Sequence, residues 1–216
     1  LVARAEPDGN LCREHSRMMD AVLPDHPLLA GNQTTPLLGG DETFPRMFAA
    51  IRGARHHIHF QNFIIHNDAV GREFLGLLAD KARQGVTVRV LYDRFGSTRA
   101  ALSGFFRRYR GVPNLQLVGW TQANPLKRQF QINLRNHRKL LLVDGEQAFC
   151  GGLNVAENNV TRPGHPPIRD YHFAVRGAVV QELQYSFMRD WYFMTEEDPE
   201  ELLRDVYFPN LAPAGR

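Results

Sequence analysis

The sequence predicts an α/β fold, an α/β/α sandwich in which helices flank a mixed, mostly parallel sheet. Segments with helical and with strand periodicity alternate along the chain, and residues 57–93 form a β-α-β unit, whose right-handed crossover joins parallel strands. The 216 residues are enough for one substantial domain and few for two. We therefore expect a helical lead-in over residues 1–30, one domain over 31–195, and an acidic, proline-containing tail or linker over 196–216.

Each element rests on a local pattern. The first helix begins after glycines with an acidic turn and carries Phe44, Met47, Phe48 and Ile51 on one face. The predicted helices are GGDETFPRMFAAIRGARHH, GREFLGLLADKARQG, STRAALSGFFRRYR and AVVQELQYSFMRDWYFM. The predicted strands are HIHFQNFII, VTVRVLYD, NLQLVGW, HRKLLLVDG, EQAFCGG and YHFAVRG. Asp144-Gly145, between the fourth and fifth strands, predicts a tight hairpin turn.

The charge of the chain points to an anionic substrate or surface. The formal net charge is +3, and the basic residues are arginines except for Lys81, Lys127 and Lys139. Planar guanidinium groups match phosphate and carboxylate oxygens. A coding bias towards arginine explains the surface positions equally well.

Cysteine content and hydropathy argue against a disulfide framework, a membrane-spanning segment and a signal peptide. Cys12 and Cys150 are the two cysteines, and they do not support a disulfide framework. No apolar run approaches the roughly 20 residues that span a bilayer, and the first residues lack the apolar core of a signal peptide. Because the chain starts without methionine, we expect a processed product or an excised piece of a longer protein.

The stretch NHRKLLLVDG, residues 136–145, places polar side chains at the start of a strand that otherwise resembles core. Because side chains alternate along a strand, we expect His137 and Lys139 to project from one side and Arg138 from the other. Asp144 lies an odd number of residues beyond His137 and adjoins the predicted turn. We therefore expect Asp144 to serve the turn or an ion pair rather than catalysis.

The His-x-Lys pair suits phosphodiester chemistry. A neutral imidazole of His137 can attack phosphorus, and the ammonium of Lys139 can neutralise the non-bridging oxygens that repel the nucleophile. Asn154 can donate hydrogen bonds to the same oxygens, with Gly151-Gly152 allowing the substrate to approach closely. Asp170, at the edge of the next strand, can hold one imidazole nitrogen as an orienting carboxylate.

A second group of histidines suggests a metal site at first sight. His56, His57 and His59 lie at a predicted helix-to-strand junction, where surface or packing roles are more common. No carboxylate is spaced to complete a ligand set. We therefore predict no metal and no other cofactor.

The stretch HRKLLLVDGEQAFCGGLN resembles the HKD signature of the phospholipase D superfamily, H-x-K-x4-D-x6-G-G/S-x-N. The segments FPRMFAAIRGARHHIHFQNFIIHNDAVGREFLGLLADKARQGVTVRVLYD and IRDYHFAVRGAVVQELQYSFMRDWYF are similar to the first half of bacterial cardiolipin synthases. The similarity runs from about residue 31 to about residue 195. It implies a phospholipase D-like α/β/α sandwich with one HKD motif.

The resemblance also implies roles for individual residues. His137 is the nucleophile or its acid counterpart, Lys139 and Asn154 bind the phosphoryl oxygens, and Asp170 orients the histidine. Asp144 is structural in the family, which agrees with the spacing. Gly152, at the phosphate-binding turn, occupies the place of a serine found in many members, and glycine there favours the cardiolipin synthase branch.

One motif is half of the machinery that in-line displacement requires. One histidine attacks phosphorus while another, on the far side, protonates the departing alcohol. The family supplies the second histidine from a second HKD motif or from a homodimer partner. No other histidine of this sequence is followed by lysine two residues later, so we expect half an active site.

Three functions are consistent with this pattern. The favoured one is a phosphatidyltransferase of the cardiolipin synthase type, which passes the phosphatidyl group of phosphatidylglycerol through a phosphohistidine. Its basic stretch 127–139 would face lipid phosphates at a membrane surface, on the cytoplasmic side of the inner membrane, attached peripherally or by segments outside this soluble piece. The second is a homodimeric phosphodiesterase or endonuclease acting on nucleic acid. The third is a non-catalytic module that binds anionic lipid or nucleic acid, with an affinity that falls steeply as the salt concentration rises.

Overall fold

The computed structural model describes residues 29–120, 123–124, 129–130 and 136–215. The predicted helix of the lead-in, Cys12 and Lys127 lie outside the described residues. Within them, no helix is long and apolar enough to cross a bilayer.

Helices and strands alternate as the sequence predicted over most of the domain. The strands are β1 (Gln33–Leu38), β2 (His57–Asn62), β3 (Thr87–Asp93), β4 (Leu115–Trp120), β5 (Ala123–Asn124), β6 (Gln129–Phe130), β7 (Leu140–Val143), β8 (Gln147–Gly151) and β9 (Tyr171–Arg176). The α-helices are α1 (Gly39–Gly53), α2 (Ala69–Arg83), α3 (Thr98–Leu102), α4 (Val179–Thr195) and α5 (Pro199–Leu202). Short 3₁₀ turns in the described part of the chain are Phe106–Tyr109, Glu157–Asn159 and Asp205–Tyr207.

Seven strands of the described residues form one mixed sheet in the order β1-β9-β8-β7-β2-β3-β4. The α/β class and the mixed sheet are confirmed, but the prediction that the sheet is mostly parallel is wrong. Only β2-β3 and β3-β4 pair in parallel, whereas β1-β9, β9-β8, β8-β7 and β7-β2 are antiparallel. A parallel pair needs a long crossover, which the helical segments between β2, β3 and β4 supply, whereas β7 and β8 are joined by a hairpin and the other antiparallel neighbours are distant in sequence.

The hairpin between β7 and β8 turns where the sequence predicted. Asp144 and Gly145 both have positive φ, 53° and 68°, and the Glu146 N–H donates to the Val143 carbonyl at 3.0 Å. Two such residues make a primed turn, whose twist matches that of the flanking strands. The turn returns the chain directly from β7 into β8.

Helices cover both faces of the sheet. On one face, the predicted apolar side of α1 is buried, with Phe44, Met47, Phe48 and Ile51 packed in the same core as Phe74 of α2. On the other face, α4 buries Phe187 and Trp191. Phe193 of the same helix is 57% exposed and stacks on Trp120.

Two segments differ from the sequence prediction. Residues 97–110 do not form one helix, because Gly104 adopts a left-handed conformation (φ 72°) and separates α3 from the 3₁₀ turn Phe106–Tyr109. Strand β1 was not predicted. It pairs antiparallel with β9 along its length and carries Pro36 at the edge of the sheet, where a missing N–H is tolerated.

The tail after α4 packs against the domain. Leu202 and Tyr207 are buried, and the ring of Tyr207 contacts His57 and His59 of β2. The N–H groups of Ala214 and Gly215 donate to the carbonyl of Gly31, at 2.8 and 3.3 Å. The chain therefore comes back to the start of the described domain.

Candidate active site

His137 and Lys139 lie just before β7 and share one aromatic neighbour. The imidazole of His137 stacks on the ring of Phe63, with 4.0 Å between ring centroids and 21° between planes. The Nζ of Lys139 lies 5.7 Å from the centroid of the same ring and donates to the His137 carbonyl at 2.9 Å. The two side chains thus face the same side of the segment, although regular strand pairing begins only at Leu140.

Asp170 lies directly over Gly152. A Cβ added at Gly152 would collide with both carboxylate oxygens of Asp170, so the glycine leaves the space that the carboxylate occupies. Burial lowers the pKa of Lys139, and the nearby charge of Asp170 opposes this and helps to keep the ammonium protonated. Gly152 thus lies against Asp170, and Asp170 is near enough to Lys139 for its charge to act on the ammonium group.

The relation of Asp170 to His137 is less direct. Asp170 Oδ1 accepts a hydrogen bond from the Tyr171 N–H at 2.7 Å. Among the described residues, neither ring nitrogen of His137 has a hydrogen-bond partner. That Asp170 orients the imidazole stays a prediction.

Asn154 is held by the loop that follows β2. Its Oδ1 accepts from the Ile64 N–H at 3.3 Å, and its own carbonyl accepts from Asn159 Nδ2 at 2.9 Å. Because a backbone N–H can only donate, the side-chain oxygen must face Ile64 and the NH₂ group must point elsewhere. That NH₂ group has two N–H donors from which an anion can accept hydrogen bonds, which suits the predicted phosphate-binding role.

Asp144 lies at the other end of β7 from His137. Its Oδ1 accepts from the N–H groups of His56 and His57 at 2.8 and 3.0 Å, and its Oδ2 accepts from that of Arg55 at 2.8 Å. The carboxylate thus fixes the entry of the chain into β2. The full length of β7 separates Asp144 from the imidazole.

Two further features of the site were not predicted from the sequence. Phe63 is one, because nothing in its local sequence distinguishes it from a core residue. The other is Asp190 of α4, whose Oδ2 accepts from Gln61, Asn136 and Arg138. The strand alternation predicted that Arg138 would point away from His137, but the sequence holds no signal for the carboxylate that it meets.

His172 is a third unpredicted neighbour. It is buried next to Gly151, whose added Cβ would lie 2.8 Å from His172 Nδ1. Burial lowers its pKa to about 4, while the charge of Asp170 raises it and that of Lys139 lowers it. At neutral pH this histidine is therefore an uncharged part of the wall behind Asp170.

His57 and His59 of β2 lie on the face of the sheet that α4 covers, the face opposite to His137. His57 and His59 are buried under Tyr207, and His59 contacts Arg89 and Gln184 through its two ring nitrogens, at 3.3 and 2.6 Å. Over the ranges that the structure describes, no three histidine, cysteine or acidic side chains are grouped as a metal site would need. The sequence favoured surface or packing roles for these histidines, and His56 is exposed whereas His57 and His59 are buried.

Comparison with protein families gives a match over most of the domain. The profile described as "Cardiolipin synthase, PLD-like domain" matches residues 47–191. The chain is 41% identical over 182 residues to cardiolipin synthase A of Pseudomonas fluorescens (strain SBW25), covering 84% of this chain and 38% of that protein. It is 38% identical over 173 residues to cardiolipin synthase of Geobacillus kaustophilus (strain HTA426), covering 80% and 34%. The chain thus spans less than two fifths of the length of these relatives.

Solved structures show the same fold at low sequence identity. Phosphatidylserine synthase of Haemophilus influenzae Rd KW20 superposes with a TM-score of 0.60 at 14% identity, over 92% of this chain and 44% of that one. Nuc of Salmonella typhimurium, a phospholipase D family member, superposes with a TM-score of 0.54 at 15% identity, over 74% and 94%. These similarities confirm the predicted phospholipase D-like fold.

Proposed function

Because the chain belongs to the family of PLD-like domains of cardiolipin synthases, we propose that it forms one catalytic half-site of a phosphatidyltransferase. His137 is the nucleophile, Lys139 and Asn154 bind the non-bridging oxygens of the phosphodiester, and Gly152 makes room for Asp170 beside them. The donor substrate is phosphatidylglycerol, presented at a membrane surface on its cytoplasmic side. Both reaction steps use protein side chains, with no cofactor.

One observation carries this proposal: an exposed imidazole and an ammonium group face the same side of one segment. A ring nitrogen of His137 attacks phosphorus, forming a P–N bond while the P–O bond to glycerol breaks. The positive charge of Lys139 offsets the repulsion between the nucleophile and the anionic diester. In the second step the hydroxyl oxygen of another phosphatidylglycerol attacks phosphorus, its proton passes to the group that protonated the departing glycerol, the P–N bond breaks and the imidazole is regenerated.

The departing glycerol oxygen needs a proton from the far side of phosphorus. His137 cannot supply it, because the attacking and departing groups lie in line on opposite sides of phosphorus. We therefore place the proton donor on a second HKD motif, either in a longer protein or on a second copy of this chain. The short span of the chain relative to its curated relatives is consistent with this division.

A substrate whose leaving group needs no proton tests the half-site directly. Bis(4-nitrophenyl) phosphate releases a stable phenolate, so His137 alone should suffice for the first step. In EDTA, we expect a burst of about one nitrophenolate per active chain, the kinetic sign of a covalent intermediate. Lys139→Ala should slow the burst by about 100- to 1000-fold, the usual effect of removing one oxyanion-stabilising donor.

His137→Ala and the natural substrate complete the test. A burst that persists in His137→Ala, or one that is absent from the unmodified chain, would contradict the assignment of His137 as nucleophile. On phosphatidylglycerol micelles, cardiolipin should form only when a second motif is supplied. Cleavage of plasmid DNA in EDTA, lost in His137→Ala, would instead favour the phosphodiesterase hypothesis.

A further inference from the structure

One carboxylate oxygen of α4 accepts hydrogen bonds from three side chains, one in β2 and two in the segment before β7. Asp190 Oδ2 accepts from Gln61 Nε2 at 2.8 Å, from Asn136 Nδ2 at 2.8 Å and from Arg138 Nη1 at 2.5 Å. Gln61 lies at the end of β2, whereas Asn136 and Arg138 flank the nucleophile. Asp190 therefore ties the segment before β7 both to a helix and to the neighbouring strand.

The contacts of this segment alternate between its two sides. Asn136 and Arg138 meet Asp190, and His137 and Lys139 meet the ring of Phe63. Residues that alternate in this way lie on opposite sides of an extended chain. Holding the even-numbered residues on one side thus leaves the odd-numbered residues on the other.

The sheet itself does not fix this alternation. Regular pairing between β2 and β7 begins at Gln61 and Leu140, after His137 and Lys139. Asp190 is well placed to take over this role because α4 is firmly packed, with Phe187 and Trp191 fully buried on either side of it. Its side chain is 16% exposed, whereas that of Arg138 is 55% exposed, so the fixed partner is the aspartate.

We infer that Asp190 is a positioning residue, which sets His137 and Lys139 on the substrate side by holding Asn136 and Arg138 on the opposite side. The inference rests on the proposed function for its effect on rate, but not for its effect on geometry. The side-chain partners of Asp190 are Gln61, Asn136 and Arg138, and the imidazole of His137 is not among them. Loss of Asp190 should therefore lower the rate of the covalent step much more than it weakens substrate binding.

Two measurements test this inference on the purified chain. The first is the position of the His137 ring-proton NMR signals, which stacking on Phe63 shifts upfield. We expect Asp190→Ala to move these signals back towards those of a free imidazole. The second is the nitrophenolate burst, whose maximal rate should fall by about 100-fold, the scale expected for a misplaced reacting group. The substrate concentration that gives half of that rate should change far less.

Matched variants separate positioning from general loss of stability. Asp190→Asn retains an oxygen acceptor and should give a smaller loss, and Arg138→Ala combined with Asp190→Ala should add little to Asp190→Ala because both variants break the same contact. Glu73→Gln removes the negative charge of the surface pair with Arg52 and should leave the ring signals and the burst unchanged. Thermal melts identify any variant that fails to fold. Asn136→Ala then tests the contact by removing a donor to Asp190 instead of the acceptor.

The outcomes are distinct. His137 signals that stay in place in folded Asp190→Ala would overturn the inference, as would an equal displacement in Glu73→Gln. If the unmodified chain shows no burst, the proposed function fails, but the NMR comparison still decides whether Asp190 positions His137. Displaced signals together with a slower burst would support both.

Discussion

Gly152 has no side chain, and the carboxylate of Asp170 occupies the space that a side chain would fill. Gly152→Ala would place a methyl group where the oxygens of Asp170 now lie and force that side chain to rotate away from Lys139. We expect the nitrophenolate burst to slow by about 100-fold, because a displaced group near the reacting phosphate costs on that order. The unfolding midpoint should change little, since Gly152 does not require a left-handed conformation.

A glycine elsewhere provides the control for that substitution. Gly53 ends α1, and a Cβ added there meets no atom within 4 Å. Gly53→Ala should therefore leave the burst at its original rate. A burst that is equally fast in Gly152→Ala would show that the position of Asp170 does not matter to the covalent step.

Residue-level predictions succeeded where the information was local. The alternation of side chains predicted that His137 and Lys139 share a side and that Arg138 does not, and the contacts with Phe63 and Asp190 follow that division. The partners themselves come from distant parts of the chain. Neither Phe63 nor Asp190 carries a periodicity or a motif that relates it to residue 137, so packing alone reveals them.

Among the elements, the hairpin of β7 and β8 depends on Asp144 twice. Its backbone is left-handed, and its carboxylate accepts three backbone N–H groups at the start of β2. We expect Asp144→Ala to lower the free energy of unfolding by about 3 kcal/mol, since hydrogen bonds to a buried charged acceptor are lost and their donors are left unpaired. Urea denaturation measures this change.

The same variant separates a structural from a catalytic role. In the folded fraction of Asp144→Ala, the burst should keep its rate within a few-fold, because β7 lies between Asp144 and His137. Asp144→Asn should be less destabilising, since asparagine tolerates the left-handed conformation. A large loss of rate without a loss of stability would place Asp144 in the chemistry.

Elements were predictable when one pattern governed them from end to end. The β-α-β unit and α4 each have a continuous apolar pattern, the hairpin has the Asp144-Gly145 dipeptide at its turn, and each formed as expected. The predicted helix over 97–110 has no such continuous pattern, because Gly104 interrupts it with a left-handed turn. Strand β1 was missed because it is an edge strand containing Pro36, and its pairing with β9 joins residues far apart in sequence.

For the molecule as a whole, buried histidines should make stability depend on pH. Burial lowers the pKa of His57 and of His172 to about 4, and it also lowers that of His59. The unfolded chain takes up protons near pH 6.5, whereas the native state resists them until about pH 4. Stability is therefore full above pH 6.5 and falls as the pH is lowered from there to about 4.

The size of this loss is substantial. A depression from 6.5 to about 4 corresponds to about 3 kcal/mol for each of His57 and His172, compared with a typical domain stability of about 5–15 kcal/mol. Urea denaturation at a series of pH values measures this loss. Because leucine does not titrate, His57→Leu should reduce the dependence of the free energy of unfolding on pH by the contribution of His57. A free energy of unfolding that stays constant between pH 7 and pH 4.5 would contradict this prediction.

The architecture at this scale was only partly readable from the sequence. The class followed from alternating periodicities, which are local, but the proportion of parallel pairs depends on which strands become neighbours. The chain places β9 between β8 and β1, so that the last strand of the sheet pairs with the first. Which strands pair is determined by packing between residues that are far apart in sequence, so no single stretch of sequence predicts it.

The hydrogen bonds from Ala214 and Gly215 to Gly31 have a consequence for engineering. Since the two ends of the described domain already touch, a linker of a few residues could join them without strain, and new termini could be opened elsewhere. The exposed loop around Gly164, which no neighbouring atom crowds, is a suitable place. Such a circular permutant should keep the same sheet, because the order of strands in space does not depend on where the chain is cut.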